Sequence, residues 1–175
     1  LAPTLSPMDE TTRTSERPCP AGVQCVSGRQ LLHCLLGHYC AAGDANPVAC
    51  PAGRLGNSTS FTSAACGGAC PLGHFCPQGS SAAQPCAAGT YGGTRGLNAS
   101  SECTPTPAGY YSSAGSTAPE ACGGSSLYCP GGEGRPNSIS GAVETYTDTA
   151  LNPLLIPSDP TTRTSYRACA SSKYC

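Results

Sequence analysis

CLLGHYCAAGDANPVACPAGRLGNSTSFTSAAC, from Cys34 to Cys66, separates its four cysteines by five, nine and fifteen residues. CPLGHFCPQGSSAAQPCAAGTYGGTRGLNASSEC, from Cys70 to Cys103, repeats this arrangement with sixteen residues in the last interval. The two copies begin 36 residues apart, so the second reads as a tandem duplicate of the first. Regularly spaced cysteines among glycines and prolines indicate small modules that are closed by disulfide bonds.

Cysteine is frequent in this chain, and large apolar side chains are rare. The 175 residues include 14 cysteines, no Trp, and only 21 residues of Leu, Ile, Val and Phe together. A hydrophobic core for this length needs more apolar side chain, whereas each disulfide contributes roughly 2–4 kcal/mol. We therefore expect small disulfide-rich modules, mostly irregular with short two-stranded β ribbons, in an elongated tandem-repeat array. Stable disulfides also predict an extracellular or cell-surface location.

Charge and motif content argue against several classes of function. The net charge of −1 and the lack of a Lys/Arg cluster argue against nucleic-acid binding and against membrane contact within this segment. The sequence has no C-x2-C pair, Asp-rich calcium loop or nucleophile motif, so we expect no metal, no cofactor and no enzymatic activity. His38 and His74 occupy the same position of the two copies, which marks a module position rather than a zinc ligand.

A longer repeat encloses the shorter one. Residues 1–25 align without gaps with residues 151–175, and 13 of the 25 positions are identical, including TTRTS at 11–15 and 161–165. We therefore expect one repeat of about 150 residues followed by the opening of the next. Such periodicity is typical of fibres, stalks and spacers, in which each unit contacts its neighbours.

A third copy of the cysteine pattern is incomplete, which narrows the possible pairings. TPAGYYSSAGSTAPEAC, residues 106–122, matches the long loop Cys50–Cys66 in length but has Thr106 in place of the first cysteine. If each long loop is closed by its own cysteines, Cys122 and Cys129 are left over and bridge each other. The resulting local scheme has seven pairs: Cys19–Cys25, Cys34–Cys40, Cys50–Cys66, Cys70–Cys76, Cys86–Cys103, Cys122–Cys129 and Cys169–Cys175.

A second pairing scheme stays open, since spacing alone does not determine connectivity. It links neighbouring modules in a ladder, for example Cys40 with Cys50. Under either scheme, the glycine three residues after the first cysteine supplies a tight turn that accepts positive φ. An aromatic residue before the second cysteine is expected to cover the disulfide of its own module: Tyr39, Phe75, Tyr128 and Tyr174.

The cysteine pattern resembles the ephrin-receptor-like cysteine-rich repeat family, which is related to tumour-necrosis-factor-receptor modules. The resemblance rests on CPAG at 50–53, CAAGTY at 86–91, PAGYY at 107–111 and the C-x-x-G-x-aromatic-C doublets at 34–40 and 70–76. It covers about residues 19–133 and implies small extracellular modules that stack end to end without catalytic activity. Such repeats occur in large extracellular and cell-surface proteins. Thr106 and the doublet Cys122–Cys129 depart from the family pattern.

These patterns divide the chain into consecutive regions. They are an extended arm at 1–18, cysteine-rich modules at 19–66, a second 36-residue module at 70–103, a degenerate module at 104–133, a cysteine-free strand and Pro-rich arm at 134–168, and the start of the next 150-residue repeat at 151–175.

The cysteine-free region 134–168 is a candidate assembly arm. A period-two pattern at 143–148 predicts a strand, and Pro153, Pro157 and Pro160 then exclude a helix. We expect this arm to dock on a neighbouring repeat or subunit; the alternative is a Pro-rich spacer between cysteine-rich blocks. The residues expected to make the contact are Leu151, Leu154, Leu155, Ile156, Thr161, Thr162 and Arg163.

Two N-glycosylation sequons complete the list of candidate sites. Asn57-Ser58-Thr59 and Asn98-Ala99-Ser100 both fall in long loops, at near-equivalent positions. The sequence thus predicts a structural building block of an extracellular glycosylated filament or cell-surface appendage, with copies of itself and covalent glycans as partners. The alternative is a cysteine-rich ectodomain stalk of a receptor or adhesion protein that binds a protein or glycan ligand. The candidate ligand-contacting residues for that alternative are Tyr110, Tyr111, Tyr146, Arg135, Tyr166 and Arg167.

Overall fold

A computed structural model of the chain describes residues 18–26, 30–44, 46–123, 127–138, 143–146 and 165–168. These ranges contain short β-strands and a 3-10 turn at Ser100–Glu102, and no α-helix. The strands in chain order are β1 (Val23–Val26), β2 (Gln30–His33), β3 (His38–Tyr39), β4 (Val48–Ala49), β5 (His74–Phe75), β6 (Gln84–Pro85), β7 (Thr90–Tyr91), β8 (Thr104–Pro105), β9 (Tyr110–Tyr111), β10 (Glu120–Ala121), β11 (Leu127–Tyr128), β12 (Asn137–Ser138), β13 (Val143–Tyr146) and β14 (Ser165–Ala168).

Each strand pairs with the strand next to it in sequence. β1 pairs with β2, β3 with β4, and so on to β13 with β14, and every pair is antiparallel. The two-stranded sheets are therefore all local hairpins among the described residues, while isolated parallel bridges join Phe75 to Leu97 and Tyr111 to Glu133 further along the chain. The predicted fold class of small, disulfide-rich, mostly irregular structure with short two-stranded ribbons is confirmed.

Consecutive hairpins divide residues 19–138 into seven units. A unit begins four residues before its first strand (five in unit 7) and ends at the residue before the next unit. In unit 3 the isolated antiparallel bridge of Arg54 with Ala69 takes the place of a strand pair. The units are unit 1 (19–33), unit 2 (34–49), unit 3 (50–69), unit 4 (70–85), unit 5 (86–105), unit 6 (106–121) and unit 7 (122–138). Units 3 and 5 are the long units, and the others are short.

Every disulfide in the described residues lies within a single unit, and its first cysteine is the first residue of that unit. In short units it spans six or seven residues of sequence, and in the long units it spans 16 or 17. The six bonds are Cys19–Cys25, Cys34–Cys40, Cys50–Cys66, Cys70–Cys76, Cys86–Cys103 and Cys122–Cys129. They are the pairs of the local scheme, not of the ladder scheme. The seventh pair of that scheme, Cys169–Cys175, lies outside the described residues.

The interior of the described region consists mainly of disulfide sulfur. Ten of the eleven buried hydrophobic residues are cysteines, and the other is Leu97. Leu97 packs with Cys86 and Cys103 of its own unit, and Phe75 of unit 4 packs against this cluster. Phe75 thus packs against the buried cluster of the following unit. The sequence pattern predicted a contact with the disulfide of its own unit.

Unit 6 has the register of a short unit. Tyr110 pairs with Ala121, a separation of eleven residues that also occurs in units 2 and 4, whereas unit 5 pairs residues fifteen apart. The alignment of residues 106–122 with the long loop Cys50–Cys66 is therefore wrong. Cys122 opens unit 7 instead of closing a loop of unit 6.

Thr106 and Ser112 of unit 6 occupy the positions that hold a disulfide in units 2 and 4. Both side chains are buried, with exposures of 4% and 0%, and neither hydroxyl oxygen has a hydrogen-bond partner. An unpaired buried hydroxyl costs roughly 1–3 kcal/mol. In units 2 and 4 the paired cysteines have Cα atoms 5.9 and 5.8 Å apart, which suits a disulfide. Unit 6 therefore contains an unused disulfide position.

The double substitution T106C/S112C is expected to form an additional disulfide within unit 6. Closing so short a loop stabilises the fold by about 2 kcal/mol, and the two unpaired hydroxyls are removed as well. Peptide mapping without reduction identifies the bond, and a raised urea midpoint of unfolding measures its contribution. The matched control T106A/S112A removes the same hydroxyls without creating a bond. Two free thiols in the folded double variant would contradict the assigned register.

Candidate functional site

Main-chain hydrogen bonds join each unit to the next at recurring positions. The N–H of the fourth residue, always glycine in units 1 to 6, donates to the carbonyl oxygen of the seventh residue of the following unit, or the eighth in unit 7. The N···O distances are 2.7–2.9 Å. The bonds run from Gly22 to Cys40, Gly37 to Gly56, Gly53 to Cys76, Gly73 to Gly92, Gly89 to Ser112 and Gly109 to Cys129.

Three further bonds complete this inter-unit ladder. Between units 4 and 5, Cys86 N–H donates to the Gly73 carbonyl, Cys76 N–H to the Leu97 carbonyl, and Gly96 N–H to the Cys70 carbonyl, each at 2.9 Å. The same four-bond pattern recurs between units 3 and 4, units 5 and 6, and units 6 and 7. Because the donors and acceptors are all main-chain groups, the ladder demands little of the side chains.

The fourth residue of a unit also lies close to the main chain of the unit that comes two units later in the sequence. A Cβ placed on Gly73 of unit 4 would overlap the carbonyl oxygen of Gly115 in unit 6. The φ angle of Gly73 is +75°, in the left-handed region that favours glycine. Similar overlaps involve Gly37 with Gly79, Gly53 with Gly96 and Gly89 with Gly132. Glycine is thus required at these turns by backbone conformation and by the close approach of another main chain.

The seventh residue explains how the two kinds of unit differ. Short units 2 and 4 place a disulfide cysteine there, whereas long units 3 and 5 have Gly56 and Gly92. A Cβ on Gly56 would lie 2.6 Å from the Gly37 Cα, and one on Gly92 would lie 2.9 Å from the Gly73 Cα. The long disulfide closes its unit further along the chain, so the main chain of the preceding turn packs directly on this glycine.

Both sequon asparagines are exposed, and both lie within loops that long disulfides close. Asn57 is the eighth residue of unit 3 and Asn98 the thirteenth of unit 5, so the expectation of near-equivalent positions is wrong. The Asn98 main-chain N–H donates to Glu102 Oε2 at 2.8 Å, which anchors the backbone beside the sequon. Each asparagine side chain remains accessible for modification.

The two recurrent histidines have a structural hydrogen bond in common. Nδ1 of His38 lies 2.9 Å from the Leu36 carbonyl oxygen, and Nδ1 of His74 lies 2.9 Å from the Leu72 carbonyl oxygen. A carbonyl accepts, so Nδ1 donates in both rings. The described part of the chain contains no group of His, Cys, Asp and Glu placed to hold a metal ion. It also contains no helix with the length and apolarity needed to cross a bilayer.

The pKa of one tyrosine is raised by a carboxylate on the neighbouring strand. The Tyr111 O–H on β9 donates to Glu120 Oε2 on β10 at 2.6 Å. This hydrogen bond, with desolvation and the negative charge of Glu120, raises the pKa of Tyr111 above its ordinary value. Tyr111 is thus engaged in holding its own hairpin together.

The candidate ligand-contacting residues lie in three parts of the chain. Tyr110 and Tyr111 are half-buried on β9, while Tyr146 ends β13 and Tyr166 and Arg167 lie in β14. Arg135 is exposed in unit 7. No described contact gathers them into one face.

The predicted strand of the candidate arm is present at β13, where it pairs with β14. Both strands lie within the arm, one before and one after its expected contact residues. Its expected contact residues, Leu151, Leu154, Leu155, Ile156, Thr161, Thr162 and Arg163, lie outside the described residues.

No protein-family model matches the chain, and no curated protein is significantly similar to it. Resemblance to the ephrin-receptor-like repeats therefore stays a prediction from the cysteine pattern. The ladder and the sequons are the features from which a function must be inferred.

G73A is expected to destabilise the protein more than G132A. Both glycines have positive φ, +75° and +69°, so each substitution costs roughly 1–2 kcal/mol of backbone strain. A Cβ at Gly132 meets nothing within 4 Å, whereas one at Gly73 overlaps Gly115 and adds roughly 1–3 kcal/mol. Urea unfolding without reductant measures both. Equal losses for the two variants would show that the contact between units 4 and 6 is unimportant.

N57Q and N98Q are each expected to remove one N-glycan from protein secreted by a eukaryotic host, because both sites are exposed. Intact-mass measurement before and after peptide N-glycosidase treatment shows the loss, and the double variant should no longer respond to the enzyme. N137Q is the matched control, since Asn137-Ser138-Ile139 is not a sequon. A single variant with unchanged glycan mass would remove that asparagine from the assignment.

Proposed function

We propose that this protein is a structural building block of an extracellular, glycosylated filament or cell-surface appendage, assembled from tandem repeats of about 150 residues. Its role is mechanical rather than enzymatic. Neighbouring repeats and subunits are its partners, and covalent glycans at Asn57 and Asn98 cover part of its surface.

The inter-unit ladder is the observation that carries this proposal. Main-chain bonds of the same kind connect each unit to the next, and the turn glycines reach the unit after that. Each main-chain hydrogen bond contributes a modest net stability of about 1 kcal/mol, but the set repeats with every unit. Since each unit offers the same bonds forwards and backwards, adding units lengthens the assembly without a new interface. This property suits an elongated array.

An extracellular location is supported by the six disulfides of the described residues. Disulfides persist in oxidising compartments and are rare in the cytosol. Exposed sequons fit the same location, because N-glycans are added to secreted proteins. The resemblance of the cysteine pattern to ephrin-receptor-like repeats agrees with a cell-surface or secreted module.

The candidate arm supplies contacts between copies in this proposal. Its sequence recurs after 150 residues, with the apolar residues Leu1 and Leu5 matched by Leu151 and Leu155. The hairpin of β13 and β14 holds both ends of the segment together, so it leaves and rejoins the structure at one place. A loop of this kind is suited to contact a neighbour while the units carry the mechanical load.

Electron microscopy of the native, unreduced material tests the proposed function. Regular filaments whose axial period matches a whole number of 150-residue repeats are expected. Dispersed thin rods of fixed length would contradict a filament and support the ectodomain stalk of a receptor or adhesion protein. Mild reduction is the control, since opening the disulfides should abolish the filaments.

Deletion of residues 151–164 is expected to prevent lateral or end-to-end assembly while leaving the units folded. The deletion spares β13 and β14, which a short turn then connects. Replacing Leu151, Leu154, Leu155 and Ile156 with serine keeps the chain length and should weaken assembly in the same direction. Sedimentation velocity and filament length by electron microscopy report the outcome. Normal filaments from both variants would reduce the arm to a spacer.

A further inference from the structure

The register of β13 and β14 reveals an eighth unit. In units 1 to 6 the residue four positions after the unit start pairs with the last residue of that unit, as Thr90 pairs with Pro105 in unit 5. Val143 pairs with Ala168, the residue immediately before Cys169. By this rule unit 8 covers residues 139–168. Its start agrees with the end of unit 7, where β12 closes at Ser138.

This eighth unit closes the long repeat without a remainder. Units 1 to 8 run from Cys19 to residue 168, and the sequence repeat places Cys169 in alignment with Cys19. The hairpin register and the sequence alignment are independent observations, and they give the same boundary. The 150-residue repeat therefore contains a whole number of hairpin units, and that number is even.

The even number of units in a repeat matters because odd-numbered and even-numbered units lie on opposite edges. The turn glycine of unit 4 packs on unit 6, and that of unit 5 packs on unit 7. Units of the same parity therefore lie against one another, two units to a turn. The disulfides follow the same alternation. The odd units 3 and 5 contain the long disulfides. The even units 2 and 4 contain short disulfides, and the even unit 6 has the unused position.

We propose that consecutive 150-residue repeats stack in constant phase, four turns to each repeat, with equivalent residues of every repeat on the same edge. The turn position of unit 8 holds Ala142 instead of glycine, so the close main-chain contact seen at Gly73 is not expected at that turn. Asn57 and Asn98 belong to the odd units 3 and 5, so the glycans of all repeats line one edge of the array. The even edge has no sequon in units 2, 4 and 6 and exposes Leu36 and Leu72 at matching positions. This inference rests on the tandem organisation in the proposed function and specifies its geometry.

A tandem protein, with residues 1–150 placed ahead of the complete chain, tests the inference. An epitope peptide is inserted between Thr62 and Ser63 of unit 3 in both copies, because both residues are exposed in a long loop. Particles with two bound Fab fragments are imaged by electron microscopy. Both Fab fragments should project from the same edge, with a constant separation between them. Projection from opposite edges, or a variable angle between the two, would overturn the proposal.

Two deletions in the first copy distinguish the effect of the number of units from the effect of losing a disulfide. Removing unit 6, residues 106–121, takes away no disulfide but leaves an odd number of units, so the Fab fragments should move to opposite edges. Removing units 6 and 7, residues 106–138, takes away the disulfide Cys122–Cys129 but restores an even number, so they should return to the same edge. An unchanged arrangement after the single deletion would contradict the alternation of units.

This experiment does not depend on glycosylation or on filament formation. Fab fragments on one edge with no filaments in native material would uphold the stacking in constant phase and refute the proposed function. Filaments whose tandem protein shows a variable Fab angle would uphold the function and refute the stacking in constant phase.

Discussion

The approach of one main chain to another at the turn glycines is the constraint on which this structure depends. At Gly73 the N–H and the carbonyl both bond to unit 5, and the Cα faces Gly115 of unit 6. At these positions no side chain fits between successive turns. This leaves little room for a conventional hydrophobic core, and the small residues at the turns follow from the geometry.

Disulfides and main-chain hydrogen bonds have separate tasks in this arrangement. The disulfides close individual units and supply ten of the eleven buried hydrophobic residues, while the ladder connects one unit to the next. Unit 6 shows that the two tasks are separable. It has no disulfide, yet Gly89 and Gly109 make the same bonds on either side of it. Neighbours on both sides therefore hold a hairpin in register even where its own covalent closure is missing.

The sequence predicted what depends on side chains within one unit and missed what depends on main-chain contacts between units. Cysteine spacing left two pairing schemes open, and the six pairs of the structure are those of the local scheme, while the turn glycines were predicted from their recurrence. The packing of Phe75 on the following unit has no side-chain signature of that kind. The alignment of Thr106 is wrong because residues 106–122 equal a long loop in length, and the hairpin register corrects it. The sequence did contain a signal at the seventh residue of the unit, which is Gly56 or Gly92 in the long units but Ser112 in unit 6.

The hydrogen bonds of the ladder involve only a few main-chain positions in each unit, so the loops between them can vary in length. Between the ladder positions the loop length varies from unit to unit, and the long loops with Asn57 and Asn98 leave the hydrogen-bond pattern intact. The same tolerance allows the much longer insertion between β13 and β14, whose pairing still ends at the residue before the next cysteine. Long loops and a long insertion are therefore accommodated without a change in the register of the paired residues. Substitutions in the loops and substitutions at the ladder positions then affect different properties, the surface in one case and the scaffold in the other.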